Sequence, residues 1–256
     1  MKTLVIDIET SPNLAYVWGL WKQNIPLVRL QEAGQVLCWS AKWVGSDDVM
    51  FDSIYHNGKE EMLHNVWLLL NECDAVIHYN GTLFDIPTLN SEFVLAGFPP
   101  PAPFKQIDLY HTVKRRFRFP SSKLEYVADK LGCGEKEKKD VDFQLWRDCI
   151  QGNVKAWRTM EKYNKKDVLL TEAVYHKLLP WITNHPNVAL YADDEDNLSS
   201  NPLCPKCGED ALVKSGTRKT AVSVYQRYVC KKCGSWSRGR HNLVDREKIV
   251  HGNVCD

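Results

Sequence analysis

Apolar and polar positions along the first 180 residues switch repeatedly between a period of two and a period near 3.6. Thr3–Ile8 reads as a strand. So do Val36–Val44, rich in β-branched and aromatic residues, and Val49–Tyr55, with Asp47-Asp48 as turn residues between them. Lys59–Asn71 carries Met62, Val66, Leu69 and Leu70 at helical spacing. Ala75–Tyr79 is strand-like. Ile86–Ala96 predicts a helix stopped by Gly97 and the Pro99-Pro100-Pro101 run, and Gln106–Leu109 a short strand. Ser122-Lys123-Leu124-Glu125 has the form of a capping box. It would open a helix with Leu124, Val127, Ala128 and Leu131 as its stripe and Gly132 as its stop. Asn153 to about Leu179 reads as one or two helices, ended by Pro180. This order predicts an α/β domain, a mixed sheet flanked by helices.

Length and charge add a second, smaller unit. At 256 residues the chain accommodates one full-sized domain and a small module. A hydrophobic content of 44% with 25% charged residues is that of a soluble globular protein. The longest apolar runs, Val66–Leu70 and Ala75–Ile77, are too short to span a bilayer. Met1-Lys2 leads straight into the first strand with no signal-peptide pattern, so a cytoplasmic enzyme is expected. The formal net charge of +1 hides an asymmetry. Cys204–Arg240 holds nine Lys/Arg against Glu209 and Asp210, whereas residues 1–190 carry 22 basic and 23 acidic side chains. Asp193-Asp194-Glu195-Asp196 lies between them. The expected organisation is a body over residues 1–190, an acidic linker over 191–202, a basic cysteine module over 203–240 and a tail over 241–256. A basic module on a near-neutral body suggests a polyanionic partner.

Four acids stand out. Asp7 and Glu9 lie two apart on the first strand and leave the same face, with Ile6 and Ile8 facing the other way. They either end the strand at a solvated edge or face a cation. Asp85 follows a strand and the Asn80-Gly81 turn, where backbone can approach a ligand. It stands where a helix begins and would also serve as a plain N-cap. Tyr163 and Asp167 are four apart, on a helical face shared with Leu170, Thr171, Val174 and Leu178. An acid on that stripe is costly unless paired with a neighbouring lysine or bound to metal.

In order and context these residues resemble the DEDD superfamily of 3′–5′ exonucleases. Asp7-Ile8-Glu9-Thr10 is similar to its first motif and Asn80-Gly81-x-x-Phe84-Asp85 to its second. Tyr163-x-x-x-Asp167 resembles its third motif in the tyrosine subtype; the histidine subtype needs His at 162, which here is Lys162. The resemblance covers about residues 1–180, and Asp7–Leu20 and Leu124–Gly132 look like phage-encoded members. It implies a ribonuclease-H-like fold, which the element order suits, although that order also allows other α/β folds. It also implies a two-metal site for Mg²⁺ or Mn²⁺, hard cations that prefer carboxylates. Asp7 would bridge both ions, Glu9 and Asp167 would serve the water-activating ion, and Asp85 would lie nearer the second. The Tyr163 hydroxyl would orient the attacking water. Asp108 is a candidate fifth acid at a strand end.

The basic module carries a separate chemistry. Cys204-Pro205-Lys206-Cys207-Gly208 and Cys230-Lys231-Lys232-Cys233-Gly234 are two matched knuckles. Their spacing points to one structural Zn²⁺ held by Cys204, Cys207, Cys230 and Cys233 in a zinc ribbon, with Ala221–Val229 as a strand. Redox pairs are the alternative. Cys38, Cys73, Cys133 and Cys149 read as packing thiols, and Cys255 is unassigned. Nucleic-acid contacts are expected from Asn80, Arg115, Arg116, Arg218, Lys219, Arg227, Lys231, Lys232 and Arg238. Lys114–Phe119 mixes basic and aromatic residues in a way that suits single strands or a solvated surface strand. The expected activity is 3′–5′ hydrolysis of single-stranded DNA ends, with a polymerase or other replication protein as a candidate partner. An exoribonuclease and a non-catalytic nucleic-acid-binding adaptor are the alternatives, and a protein-docking ribbon is the alternative for the module.

Overall fold

A computed structural model describes residues 1–134, 142–192 and 202–244. The acidic run Asp193–Asp196, most of the expected linker, the tail beyond Val244 and Cys255 lie outside the described residues. The chain divides into two compact units, residues 2–176 and, with Met1, residues 177–256.

The larger unit is built on one five-stranded mixed sheet in the order β5-β4-β1-β6-β7. Its strands are β1 (Thr3–Thr10), β4 (Val36–Trp43), β5 (Met50–Ser53), β6 (Ala75–His78) and β7 (Lys105–Asp108). β4 runs antiparallel to β1 and β5, while β6 and β7 run parallel to β1. β2 (Leu14–Ala15) and β3 (Leu30–Glu32) form a separate short ladder in the connection from β1 to β4. β1 is central and buried on both faces. Leu4, Ile6 and Ile8 pack against α1 (Gly58–Glu72) and α2 (Asp85–Leu95) through Met62, Leu63, Val66, Leu70, Leu89 and Phe93. On a second core, Leu37 and Cys38 of β4 meet α5 (Gln144–Ile150) and α6 (Val154–Leu178) through Cys149, Trp157 and Met160. Helices therefore cover both faces, as an α/β layer requires.

The register shifts between Glu9 and Thr10: Glu9 pairs with Cys38 but Thr10 with Val36. Such a bulge re-aims side chains where regular pairing ends, and here it falls at the last acid of β1.

The helices depart from the sequence reading in three places. α3 (Leu109–Arg116) follows β7 directly, and so Lys114–Arg116 form a last helical turn rather than a surface strand. α4 (Leu124–Leu131) opens at Lys123 without a side-chain cap, so the expected capping box is not made; Gly132 ends it in the left-handed region at φ 66°. α5 had no periodic signal. One helix, α6, fills residues 154–178, and the Asn153 carboxamide oxygen accepts from the Lys155 and Ala156 amides at its start.

The smaller unit holds a three-stranded antiparallel sheet in the order β10-β9-β8, from β8 (Leu212–Lys219), β9 (Val224–Cys230) and β10 (Trp236–Asn242). Lys206 Nζ donates to the carbonyl oxygens of Leu179, Pro180 and Ile182 and so ties the first knuckle to the short 3₁₀ segment Leu179–Trp181. Among the described residues, no helix is long and apolar enough to cross a membrane.

Candidate active site and cysteine centre

Alternation along β1 aims Asp7 and Glu9 at α6, opposite Ile6 and Ile8. α6 returns Asp167, and the three carboxylates offer oxygen atoms within 4.8 Å of one another. Asp85 enters from α2. It is the first helical residue rather than the N-cap, which is Phe84. Its Oδ1 accepts from the Ile8 amide at 3.1 Å, so its carboxyl meets β1 at the residue between the two strand acids.

One buried acid, Asp85, and three half-buried ones gathered so closely cannot all ionise unaided. Burial, then the Asp85, Glu9 and Asp167 carboxylates, hold the Asp7 carboxyl well above its ordinary range. Burial and Asp167 push Glu9 up to about 8, against the Trp146 hydrogen bond. Burial raises Asp85 to about 7 and Asp167 to about 6, opposed by the Ile8 amide and the Tyr163 hydroxyl respectively. The donor set fits a hard divalent cation: clustered oxygens on rigid elements, carrying charge repulsion that a cation relieves.

Two residues that sequence reasoning missed hold this set in place. Asn164, fully buried, donates from Nδ2 to the Asp7 carboxylate at 2.7 Å and to the Asp7 carbonyl at 3.3 Å. Its position on the buried stripe of α6 was a readable signal, because a core-facing amide needs a partner. Trp146 of α5 donates from Nε1 to Glu9 at 3.2 Å and meets the Tyr163 ring edge-on at 6.1 Å. No sequence signal marked it. Tyr163 donates to Asp167, and burial beside three carboxylates raises its phenol well above the ordinary range.

Asp108 does not join the cluster. It caps α3, accepting from the Tyr110 and His111 amides, and it also accepts from the Asn80 and Thr82 amides. The Asn80 turn is tight. Asn80 has φ 70°, a region that Asn tolerates, and a Cβ on Gly81 would stand 2.5 Å from the His78 ring. Burial lowers the His78 pKa. His78 Nδ1 accepts from the Gly81 amide, so its 3.6 Å approach to Asp108 is not an ion pair.

Asn80 also lines a cleft of about 580 Å³ with Tyr79, Tyr110, Lys114, Phe119 and Lys123. The cleft opens at the carboxyl ends of β6 and β7, the end of the parallel strands at which β1 carries its acids. Arg115 and Arg116 are exposed and do not line it.

In the smaller unit Cys204, Cys207, Cys230 and Cys233 bring their sulfurs within 4.8 Å of one another. The Cys204–Cys233 and Cys207–Cys230 sulfurs are 3.7 and 3.6 Å apart. That is far beyond a disulfide bond and close to the edge, about 3.8 Å, of a tetrahedron with Zn–S bonds of about 2.3 Å. Gly208 and Gly234, at φ 76° and 74°, turn each knuckle so that its amide donates to the carbonyl of Cys204 or Cys230. Of the basic residues here, Lys232 pairs with Glu209, and Arg227 donates to the Ser215 carbonyl and lies over Trp236. Arg238 lies over Tyr225. Arg218, Lys219 and Lys231 are exposed.

A family described as the RNase_H superfamily matches residues 30–179, more than half of the chain, including Asp85, Tyr163 and Asp167. The chain belongs to the RNase_H superfamily. Its mixed sheet with helices on both faces is the RNase H-like fold that the resemblance implied and that the element order suited without singling it out. A solved structure of the family B DNA polymerase from the hyperthermophilic archaeon Pyrobaculum calidifontis is similar at 18% identity with a TM-score of 0.54. The match covers 70% of this chain and 24% of that one, and at this identity it is a likeness of fold. No curated protein matches the chain. An RNase_H superfamily fold with a clustered carboxylate set supports nuclease activity.

Proposed function

We propose that the chain is a 3′–5′ exonuclease that hydrolyses single-stranded DNA from its 3′ end with Mg²⁺ or Mn²⁺. The observation that carries this reading is the Asp7, Glu9 and Asp167 cluster beside Asp85 and Tyr163. Bound divalent ions would supply a water of lowered pKa and neutralise the leaving 3′ oxygen. Asp7, Glu9, Asp85 and Asp167 would hold them, and each acid would become charged as the ions displace its proton. The Tyr163 phenol, raised by burial, keeps its proton at neutral pH. It therefore orients the attacking water as a hydrogen-bonding group and does not act as a base. Asn164 and Trp146 fix the carboxylates of Asp7 and Glu9 on the way. The cleft beside Asn80 offers aromatic faces and two lysines to the strand upstream of the scissile bond. The similar solved structure is a DNA polymerase, which supports DNA over RNA and a replication partner.

The ribbon, with Zn²⁺ on its four cysteines, would add non-specific affinity through Arg218, Lys219, Arg227, Lys231, Lys232 and Arg238. End-labelled DNA and RNA strands incubated with Mg²⁺ or Mn²⁺ test the reading, wild type against Asp7→Ala. Stepwise shortening of the 5′-labelled DNA, abolished in Asp7→Ala, is expected. Shortening of RNA alone would make it an exoribonuclease, and no shortening of either would remove the enzyme.

A further inference from the structure

The connection from β1 to β4 has no place in the chemistry above. Its stem is closed two residues past Glu9: the Ser11 amide donates to Gln35 O at 2.8 Å, and the Gln35 amide to Ser11 Oγ at 2.9 Å. The Gly34 amide adds a bond to Asn13 Oδ1, and the β2–β3 ladder continues the stem. Beyond it, the chain exposes side chains that proteins ordinarily bury. Trp18 is 92% exposed, Trp21 86% and Tyr16 74%, with Leu20, Leu27 and Val28 similarly bare. So many large apolar side chains left bare between Tyr16 and Val28 mark a binding site.

Charge and position select the occupant. From Ser11 to Gln31 there is no acidic residue, while Lys22 and Arg29 are basic, in a chain whose basic and acidic residues otherwise balance. Three aromatic side chains beside two cations suit a polyanion with flat apolar rings, which describes an unpaired nucleic-acid strand. An acid-free, aromatic loop also continues the strand that carries two of the catalytic acids. Tyr16 is seven residues past Glu9 and so at most about 25 Å along the chain from it. We propose that this loop is an aromatic finger on which Trp18 and Trp21 stack unpaired bases of the strand being fed to the carboxylates, with Lys22 and Arg29 against its phosphates. The inference rests on the nuclease reading and extends its substrate site to a segment outside the motifs.

The test uses the full chain and a labelled single-stranded DNA of about twenty nucleotides, with Ca²⁺ for binding and Mg²⁺ for turnover. Trp18→Ala/Trp21→Ala is expected to bind about tenfold more weakly, the scale of stacking on one or two bases. Its turnover on saturating strand and its melting temperature should match wild type, because the rings touch little of the fold. Trp18→Phe/Trp21→Phe keeps two aromatic faces and should retain most of the affinity. Abasic residues at successive positions should weaken binding of the wild type at one or two positions and have no such effect on the alanine variant. If wild type shortens DNA but the alanine variant binds and responds to abasic sites as wild type does, the finger is rejected and the nuclease reading stands. If the variant changes only the self-association seen by light scattering, the surface serves a second copy and the proposal falls. If wild type neither binds nor shortens nucleic acid, both readings fall together.

Discussion

Asn164 Nδ2 and the Asp7 carboxylate are joined across 2.7 Å, a contact between α6 and β1 made from the fully buried Asn164 side. It sets the rotamer of the acid at the centre of the cluster and is the strongest influence holding that acid toward its charged form. Asn164→Ala should raise the Mg²⁺ concentration for half-maximal activity by about 10- to 100-fold, the usual cost of losing a partner behind a metal ligand. The Michaelis constant for DNA at saturating metal should stay nearly unchanged. Metal titrations of the rate distinguish this from misfolding, since excess Mg²⁺ should restore turnover. An unchanged metal dependence would reject the role.

Trp146→Phe keeps the ring against Tyr163 and removes only the N–H that serves Glu9. That hydrogen bond opposes the rise of Glu9 to about 8. Its loss favours the protonated acid, so the acid limb of the rate profile should move to higher pH, with kcat at the plateau little changed. A rate–pH series read at fixed Mg²⁺ decides it, and an unmoved limb would show that the indole only packs.

Tyr163→Phe removes a hydroxyl that stays protonated and holds Asp167. About a 100-fold fall in kcat is expected, the scale of losing one positioned hydrogen-bonding group, with KM for DNA unchanged. Retention of full kcat would remove the hydroxyl from the chemistry.

Asp7, Glu9, Asp85 and Asp167 all bind protons more tightly in the folded chain than in the unfolded one. The metal-free fold therefore takes up more protons between about pH 4 and pH 8, and these acids make it less stable as pH rises through that window. His78, buried and neutral, acts oppositely at the acid end, so the comparison is with Asp7→Asn. In EDTA the variant should melt increasingly above wild type from pH 5 to pH 8, and Mg²⁺ should raise the wild-type melting temperature most at pH 8. A variant equal to wild type at pH 8 would contradict the assignment of repulsion to this cluster.

One Zn²⁺ per chain should be found by elemental analysis. Stripping it with a strong chelator should unfold β8–β10, because a small sheet of mostly half-buried and exposed residues lacks a core of its own. Activity on saturating strand should survive re-addition of Mg²⁺, while affinity for DNA and its salt dependence both fall. Loss of zinc with no change in affinity would assign the ribbon to another partner.

Much of this was legible in the residues because periodicity reports burial. The strand alternation of Leu4, Ile6 and Ile8 and the stripe of α6 gave the sheet, the long helix and the face that Asp7, Glu9 and Asp167 share. α3 and α5 escaped because eight and seven residues offer too little period to read, and α3 had been split between a strand and a basic run. The capping box at Ser122 failed because a local motif competes with tertiary demands. Lys123 takes the cap position, and the Tyr79 hydroxyl binds the Ser122 carbonyl. Asp85 and Asp108 show a limit of another kind. Both precede or begin a helix, yet one reaches across to β1 and the other gathers amides from two segments. Sequence offers the acid but not the direction in which it points.

The Asp108 carboxyl bonds at once to the turn that carries Asn80 and to the first turn of the helix that carries Lys114. The two walls of the cleft thus share one anchor. Whatever disturbs that one carboxyl disturbs both walls together, so the position of Tyr79 and Asn80 is coupled to that of Tyr110 and Lys114 through a residue that does not line the cleft.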